Sequence, residues 1–298
     1  MESFSDHKKG VIITLVAVLL MTPDGLLVRL VGTDPWTMSF WRGGGMAIMT
    51  MLAIMISRRS ISLRPYLSLG PIAWIAVVPM TMVPILFINS LEYTSVANVV
   101  VIISTAPFLA AVLSMIFLSE KIRNGTWLAI VAAIVGTLII TWGSPEGGAK
   151  TGGRIGDLLA VATAFGYAVS LTALRRIENT DRMPAVVVGG LLSATLSFLI
   201  SAPVQLSDAQ TSFAILLCVI LLPASRALLV LAPRYLTSPE VSLLLVLETV
   251  GTPIWVWYVL GEMPARETFV GGGVIVTAVF VHAWWRLRQS HVPAGPSG

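Results

Sequence analysis

Residues 92–122 read EYTSVANVVVIISTAPFLAAVLSMIFLSEKI, and this stretch decides the fold. From Ser95 to Ser119 it contains no Asp, Glu, Lys or Arg. Those 25 residues make about 37 Å of helix at 1.5 Å per residue, enough to cross a hydrocarbon core of about 30 Å. Charges stand only at its borders, with Glu92 before it and Glu120 and Lys121 after it. The stretch reads as a membrane-spanning helix, and the rest of the chain repeats the pattern. Pro65–Leu91, Gly125–Ser144 and Met183–Ser207 are equally free of charge. Thr268–Trp285 is slightly shorter, and Gly10–Val31 and Trp36–Ser57 each hold an inner charge near one end. Asp157–Leu174, Thr211–Pro233 and Leu236–Leu260 complete the set. The expected helices are 10–31, 36–57, 69–91, 95–118, 125–143, 156–175, 183–203, 211–233, 236–260 and 267–287. The fold class is therefore all-α and integral to a membrane, with ten transmembrane helices.

Composition agrees. Of 298 residues, 19 are Lys or Arg and 15 are Asp or Glu, so 11% are charged against about 25% in a soluble domain. Apolar residues make up 56%. These figures exclude a disordered chain and a conventional soluble enzyme. Lys8 and Lys9 before an apolar run imitate a signal peptide, but no A-x-A cleavage pattern follows, so the first helix is read as retained. The tail 289–298 is rich in Pro, Gly and Ser and is expected to be unstructured. Cys218 is the single cysteine and reads as a small buried apolar residue.

Lys and Arg in short loops set the orientation. With the N-terminus inside, thirteen basic residues, from Lys8 and Lys9 to Arg286 and Arg288, fall on the inner face. Arg29, Lys150, Arg154 and Arg266 fall on the outer face, and Arg42 and Arg226 lie within helices. Both termini are then cytoplasmic and the membrane is the inner, plasma membrane. The basic charge rings one membrane face beside anionic lipid, and no nucleic-acid partner is needed to explain it.

The chain also repeats itself. At an offset of 142, Glu92-Tyr93-Thr94-Ser95 falls on Arg234-Tyr235-Leu236-Thr237, and Leu118-Ser119-Glu120 falls on Leu260-Gly261-Glu262. Near the start the offset becomes 146, where Gly10 meets Gly156 and Arg29 meets Arg175. Two halves follow, 1–143 and 154–288, each of five helices. Five is odd, so the second half enters the membrane inverted. Inverted-topology repeats are a signature of secondary transporters.

Residues 92–122 resemble the fourth helix of drug/metabolite transporter superfamily members with EamA repeats: Tyr93, Pro107 and Glu120 occupy the places of a Tyr-rich start, a mid-helix Pro and a helix-ending Glu. In the second half LETVGTPIWVWYVLGE, residues 247–262, is similar to the corresponding LEP…GE pattern, with Thr249 where Pro is usual and Pro253 four residues on. GDLLAVATAFGYAVSLTALRR, residues 156–176, resembles the opening helix of a second EamA unit. The resemblance implies a carrier of small molecules, and the Met- and aromatic-rich inner helices look most like the amino-acid exporter branch, including exporters of aromatic amino acids. A drug or other metabolite exporter, or a channel-like pore, is the alternative.

Several residues are candidates for transport. Proline inside a helix removes a backbone hydrogen bond, and in a membrane the freed carbonyl must find a neighbour or line a wet cavity. Pro79 and Pro84 lie in helix 3, and Pro223 of helix 8 falls at the repeat position of Thr81. With Pro253 of helix 9 they are the hinge or gating candidates, against a static kink. Buried charge points to function or to pairing. Asp24 and Arg42 lie at similar depth: they form a structural pair, or Asp24 meets an ammonium or a proton. Glu248, near mid-helix 9, is the deepest acid and a coupling or substrate-contacting candidate, against a bond to a broken neighbouring helix. Arg226 is expected to pair with Glu240, the other reading being a substrate carboxylate. Met82 and Asn89 of helix 3, Asn98 and Thr105 of helix 4 and Tyr167 of helix 6 complete the candidate lining, against plain packing. Ala132-xxx-Gly136 and Gly271-Gly272-Gly273 fit close helix contact within a monomer or in a homodimer. No H-E-x-x-H, G-x-S-x-G or P-loop occurs, so neither an enzyme nor a metal or cofactor is expected.

Overall fold

The computed structural model describes residues 2–58, 71–119, 124–143, 153–176, 183–232, 235–236 and 238–290. Ten helical spans are long and apolar enough to cross a membrane, and no strand occurs among the described residues. Six spans are single helices close to the expected bounds: Pro35–Arg58 (span 2), Pro71–Tyr93 (3), Asn124–Gly143 (5), Arg154–Arg176 (6), Met183–Ile200 (7) and Ser238–Leu260 (9). Span 10, Arg266–Ser290, runs two residues into the expected unstructured tail; residues 291–298 lie outside the described residues. The remaining three spans depart from a simple helix, each at a proline.

Span 1 is not one helix but two, Glu2–Met21 and Asp24–Val31. Pro23 has no N–H to give Leu19, and the Thr22 hydroxyl donates to that carbonyl instead, at 2.9 Å. The helix restarts when the Leu27 N–H donates to the Pro23 carbonyl at 2.8 Å. Span 4 also breaks, into Val96–Ile103 and Ala106–Leu118, with Pro107 in the first turn of the second piece. There Ser104 and Thr105 donate their hydroxyls to the Val101 and Ile102 carbonyls at 2.7 and 2.6 Å. These bonds satisfy carbonyls that an unbroken ladder would cover. Span 8 runs Asp208–Ile215, a π-helical turn over Leu216–Leu221, then Leu222–Leu231. The Leu222 N–H reaches Leu217 rather than Cys218, so the register slips by one residue just before Pro223. Such π-turns widen a helix locally and cluster at functional sites.

Spans 2 and 7 pack closely. A Cβ on Gly43 would sit 2.7 Å from the Gly190 carbonyl oxygen, and one on Gly190 would sit 2.7 Å from that of Gly43. Only glycine lets the two backbones approach so closely. Met80 of span 3, between Pro79 and Pro84, packs against Gly189 of span 7. The resulting core holds Leu26, Leu27, Phe87, Leu91, Val99, Ile102 and Leu217, drawn from spans 1, 3, 4 and 8. Large apolar side chains left exposed, such as Leu128, Val131 and Leu138 of span 5, form an outward face suited to lipid. Among the described residues, the helix ends place Arg29, Arg154 and Arg266 at one end of the bundle, and Lys8, Lys9, Arg58, Arg175, Arg176, Arg286 and Arg288 at the other.

Candidate functional site

The break in span 1 places Asp24 in the first turn of a new helix, where the partial positive charge of the helix terminus favours a carboxylate. Arg42 of span 2 meets it with both terminal nitrogens, Nη1 to Oδ1 at 2.6 Å and Nη2 to Oδ2 at 2.7 Å. The guanidinium also lies 4.5 Å from the centre of the Phe87 ring of span 3. Asp24 and Arg42 are both buried. This bidentate, ring-stacked pair is the structural alternative that the sequence left open, and it holds three spans together.

Beside it the charges are not closed. Glu248 of span 9 lies in the fields of Arg226, Asp24 and Arg42. It is only half-buried, and among the described residues neither it nor Arg226 has a hydrogen-bond or ion-pair partner. The expected Arg226–Glu240 pair does not form: Glu240 instead stands 3.6 Å from Nδ1 of His7 at the charge-rich end. Arg226 is half-buried, and its charge acts on Glu248. Tyr167 and Cys218 lie in the field of Arg42. Trp255, two turns from Glu248, donates Nε1–H to the Thr22 hydroxyl at 3.1 Å, at the break in span 1. Two acids, two arginines, a phenol and aromatic faces thus converge from spans 1, 2, 3, 6, 8 and 9. An arrangement of balanced charge with aromatic walls can hold a polar, planar or zwitterionic molecule without burying net charge.

The other sequence candidates fall elsewhere. Met82 and Asn89 are half-buried on the stripe of span 3 that carries exposed Ile75 and Val78, and Asn89 donates to its own helix at Ile85 O, 2.8 Å. Thr105 sits at the break of span 4 with its hydroxyl on Ile102 O. Asn98 is buried at the charge-poor end, where Nδ2 donates to Asp157 Oδ1 at 3.0 Å. Pro79 and Pro84 lie inside one continuous helix, as does Pro253; Pro223 follows the π-turn. Sequence reading missed Asp157, which is fully buried although it stands in the first turn of span 6. It also missed Arg29 and Glu262, which form an ion pair at 3.4 Å at the charge-poor end. A helix-end position hides such residues, since charges there normally reach water. The repeat could have found two of them, because Arg29 and Glu262 both stand on its matched positions.

Comparison with known proteins follows the same lines. A solved crystal structure of a protein shares this fold with a TM-score of 0.59, covering 96% of this chain and 99% of its own at 14% identity. A riboflavin transporter from Vibrio cholerae serotype O1 is 24% identical over 198 residues, spanning 64% of this chain and 63% of the relative's length. The profile of the EamA-like transporter family matches twice, over residues 8–142 and 154–284. With ten apolar spans and both matches covering most of its length, the chain belongs to the EamA-like transporter family.

Proposed function

We propose that the protein is a secondary carrier that exports small neutral or zwitterionic metabolites, amino acids above all, across the inner membrane. The two halves, 1–143 and 154–288, rock about the central site to expose it to one side at a time. The charge-poor end faces outward and both termini are cytoplasmic, as the distribution of Lys and Arg favours. The observation that carries the reading is the open pair of Glu248 and Arg226 beside the closed Asp24–Arg42 pair. A zwitterion offers an ammonium to Glu248 and a carboxylate to Arg226, and completes both without leaving a net charge in the membrane. Tyr167 lines the path, and Pro79, Pro84, Pro223 and Pro253 supply the places where helices yield. A second reading, transport of riboflavin, is favoured by the Vibrio cholerae relative and by the aromatic walls at Phe87, Tyr167 and Trp255.

Counterflow in proteoliposomes tests both. Vesicles loaded with an unlabelled solute should accumulate its labelled form, and a panel of amino acids plus riboflavin identifies the class. Glu248→Gln should reduce amino-acid counterflow by tenfold or more with the melting temperature unchanged. Saturable riboflavin counterflow with none for amino acids would select the second reading, and flux that does not saturate would replace the carrier with a pore.

A further inference from the structure

One end of the bundle is stitched together by buried polar contacts that the central site does not use. Thr94 lies in the turn between spans 3 and 4, and its hydroxyl donates to Asp157 Oδ1 at 2.7 Å. Asn98 Nδ2 donates to the same oxygen, while its own carbonyl oxygen accepts from the Thr268 hydroxyl of span 10. Glu262, in the loop between spans 9 and 10, accepts from the Val96 N–H at 3.0 Å and so caps the first turn of span 4. Its other oxygen faces Arg29 Nε, and Arg29 Nη2 donates to the Thr94 carbonyl at 3.0 Å. Arg29, Thr94, Val96 and Asn98 belong to the first half; Asp157, Glu262 and Thr268 belong to the second. Nearly every link therefore crosses between the halves.

The cluster is dry. Thr94 and Asp157 are fully buried, Asn98 and Thr268 nearly so, and the Arg29 and Glu262 side chains are 13% and 19% exposed. Gly156 makes room for it: a Cβ there would lie 2.6 Å from the Thr94 nitrogen. Two further bonds join the halves at the same end, from Gln210 Nε2 to Val31 O at 2.8 Å and from Val204 N–H to the Thr37 hydroxyl at 3.0 Å. At the opposite end Glu240 stands 3.6 Å from a half-exposed His7.

The geometry points to a closed outer gate. Arg29 and Glu262 form its latch, and Asp157 is the hub on which Thr94 and Asn98 close. Rocking the halves apart at this end must break the latch, the cap on span 4 and the bonds to Asp157 together, because they share residues. A cluster of this kind makes opening a two-state event rather than gradual loosening. The inference rests on the carrier reading for its purpose but not for its test.

The test follows sidedness. Cys218→Ala removes the native thiol, and Tyr167→Cys places a reporter near the central site. Right-side-out membrane vesicles are then exposed to a membrane-impermeant maleimide, and inverted vesicles to the same reagent. Arg29→Gln and Glu262→Gln should each raise outer labelling by about tenfold, the effect of losing a charged, partly buried contact. Labelling from the inner side should fall, since the two openings compete. The double variant should label no faster than the quicker single one. Faster labelling from both sides would show loosening, and unchanged outer labelling in folded, monodisperse variants would overturn the gate. Glu262→Asp, which keeps the charge on a shorter stem, should give an intermediate rate. A sidedness shift without counterflow would leave the gate standing and remove the carrier reading; counterflow without a shift would do the reverse.

Discussion

Removal of either member of the Asp24–Arg42 pair should be among the most damaging single changes in the protein, and the two removals should not be equal. The contacts at 2.6 and 2.7 Å bring the charge centres to about 4 Å, where two unit charges attract by ~4 kcal/mol at an effective dielectric constant of 20. Breaking a buried pair by deleting one partner costs about 3–5 kcal/mol, because the other charge is left uncompensated. Neighbouring charges decide where in that range each variant falls. Asp24→Ala leaves Arg42 in the field of Glu248, an opposite charge that offsets part of the loss. It should therefore lie near the lower limit. Arg42→Ala leaves Asp24 and Glu248 as two acids in one region and also removes the contact with the Phe87 ring. That variant should lie near the upper limit. The joint replacement Asp24→Leu with Arg42→Met removes both charges and restores apolar volume, so it should cost less than either single change. Reversible unfolding in mixed micelles measures all four proteins. Losses under about 1 kcal/mol for the single variants, or a double variant equal to their sum, would refute the assignment of this pair as the anchor of spans 1 and 2.

Three further outcomes are expected. Gly43→Ala should destabilise by about 1–3 kcal/mol, since its Cβ would meet backbone atoms of span 7, whereas Gly44→Ala, whose nearest neighbour is Ala194 Cβ at 3.7 Å, should be close to neutral in the same unfolding assay. Asp34 begins span 2 by accepting from the Trp36 and Thr37 N–H groups at 3.0 Å each. Burial opposes its ionisation, but the hydrogen bonds from Thr37, Trp36 and Thr33 outweigh it and hold the carboxyl below its ordinary value. A depressed value in the folded state means that the stabilisation is present above the ordinary carboxylate range and is lost as pH falls through the folded value. Asp34→Ala should thus cost about 1 kcal/mol at pH 7, and progressively less as the pH falls through the folded value. The repeat sets Glu120 against Glu262, so Glu120→Gln should shift thiol labelling toward the inner side, opposite to Glu262→Gln.

Much of the fold was legible because the membrane imposes one simple rule. A span needs an apolar run of fixed length, and such runs are visible in Ser95–Ser119 or Met183–Ser207 without reference to their neighbours. Breaks inside the runs were less legible, although each stands at a proline. Pro23 splits span 1, while Pro79, Pro84 and Pro253 leave their helices continuous. The difference lies in the local alternatives: at Pro23 a threonine hydroxyl takes over the orphaned carbonyl, so a break carries little penalty. The Asp24–Arg42 pair could be anticipated from equal depth on adjacent spans. The gate could not, since Asp157 and Glu262 stand at helix ends and meet Thr94, Asn98, Val96 and Arg29 only when the two halves pack together.

The prolines also limit how the two halves can exchange shapes. In an ideal inverted repeat, the opposite-facing state arises when each half adopts the conformation of the other. Pro23 falls on Val169 at the offset of 146, and Pro107 falls on Thr249 at the offset of 142. Neither counterpart is a proline, and spans 6 and 9 are unbroken at these places. A complete exchange would require spans 1 and 4 to become continuous despite Pro23 and Pro107, each interior proline costing about 3 kcal/mol. The breaks should therefore persist in every state, and motion should fall on spans 3 and 8, where both halves carry proline near mid-helix. Hydrogen exchange distinguishes the alternatives: in the Glu262→Gln variant, amides around Leu217–Leu222 should change protection while those around Thr22–Leu27 should not. Gain of protection at Thr22–Leu27 would show that span 1 becomes continuous, and would place the conformational change in helix straightening instead of rocking.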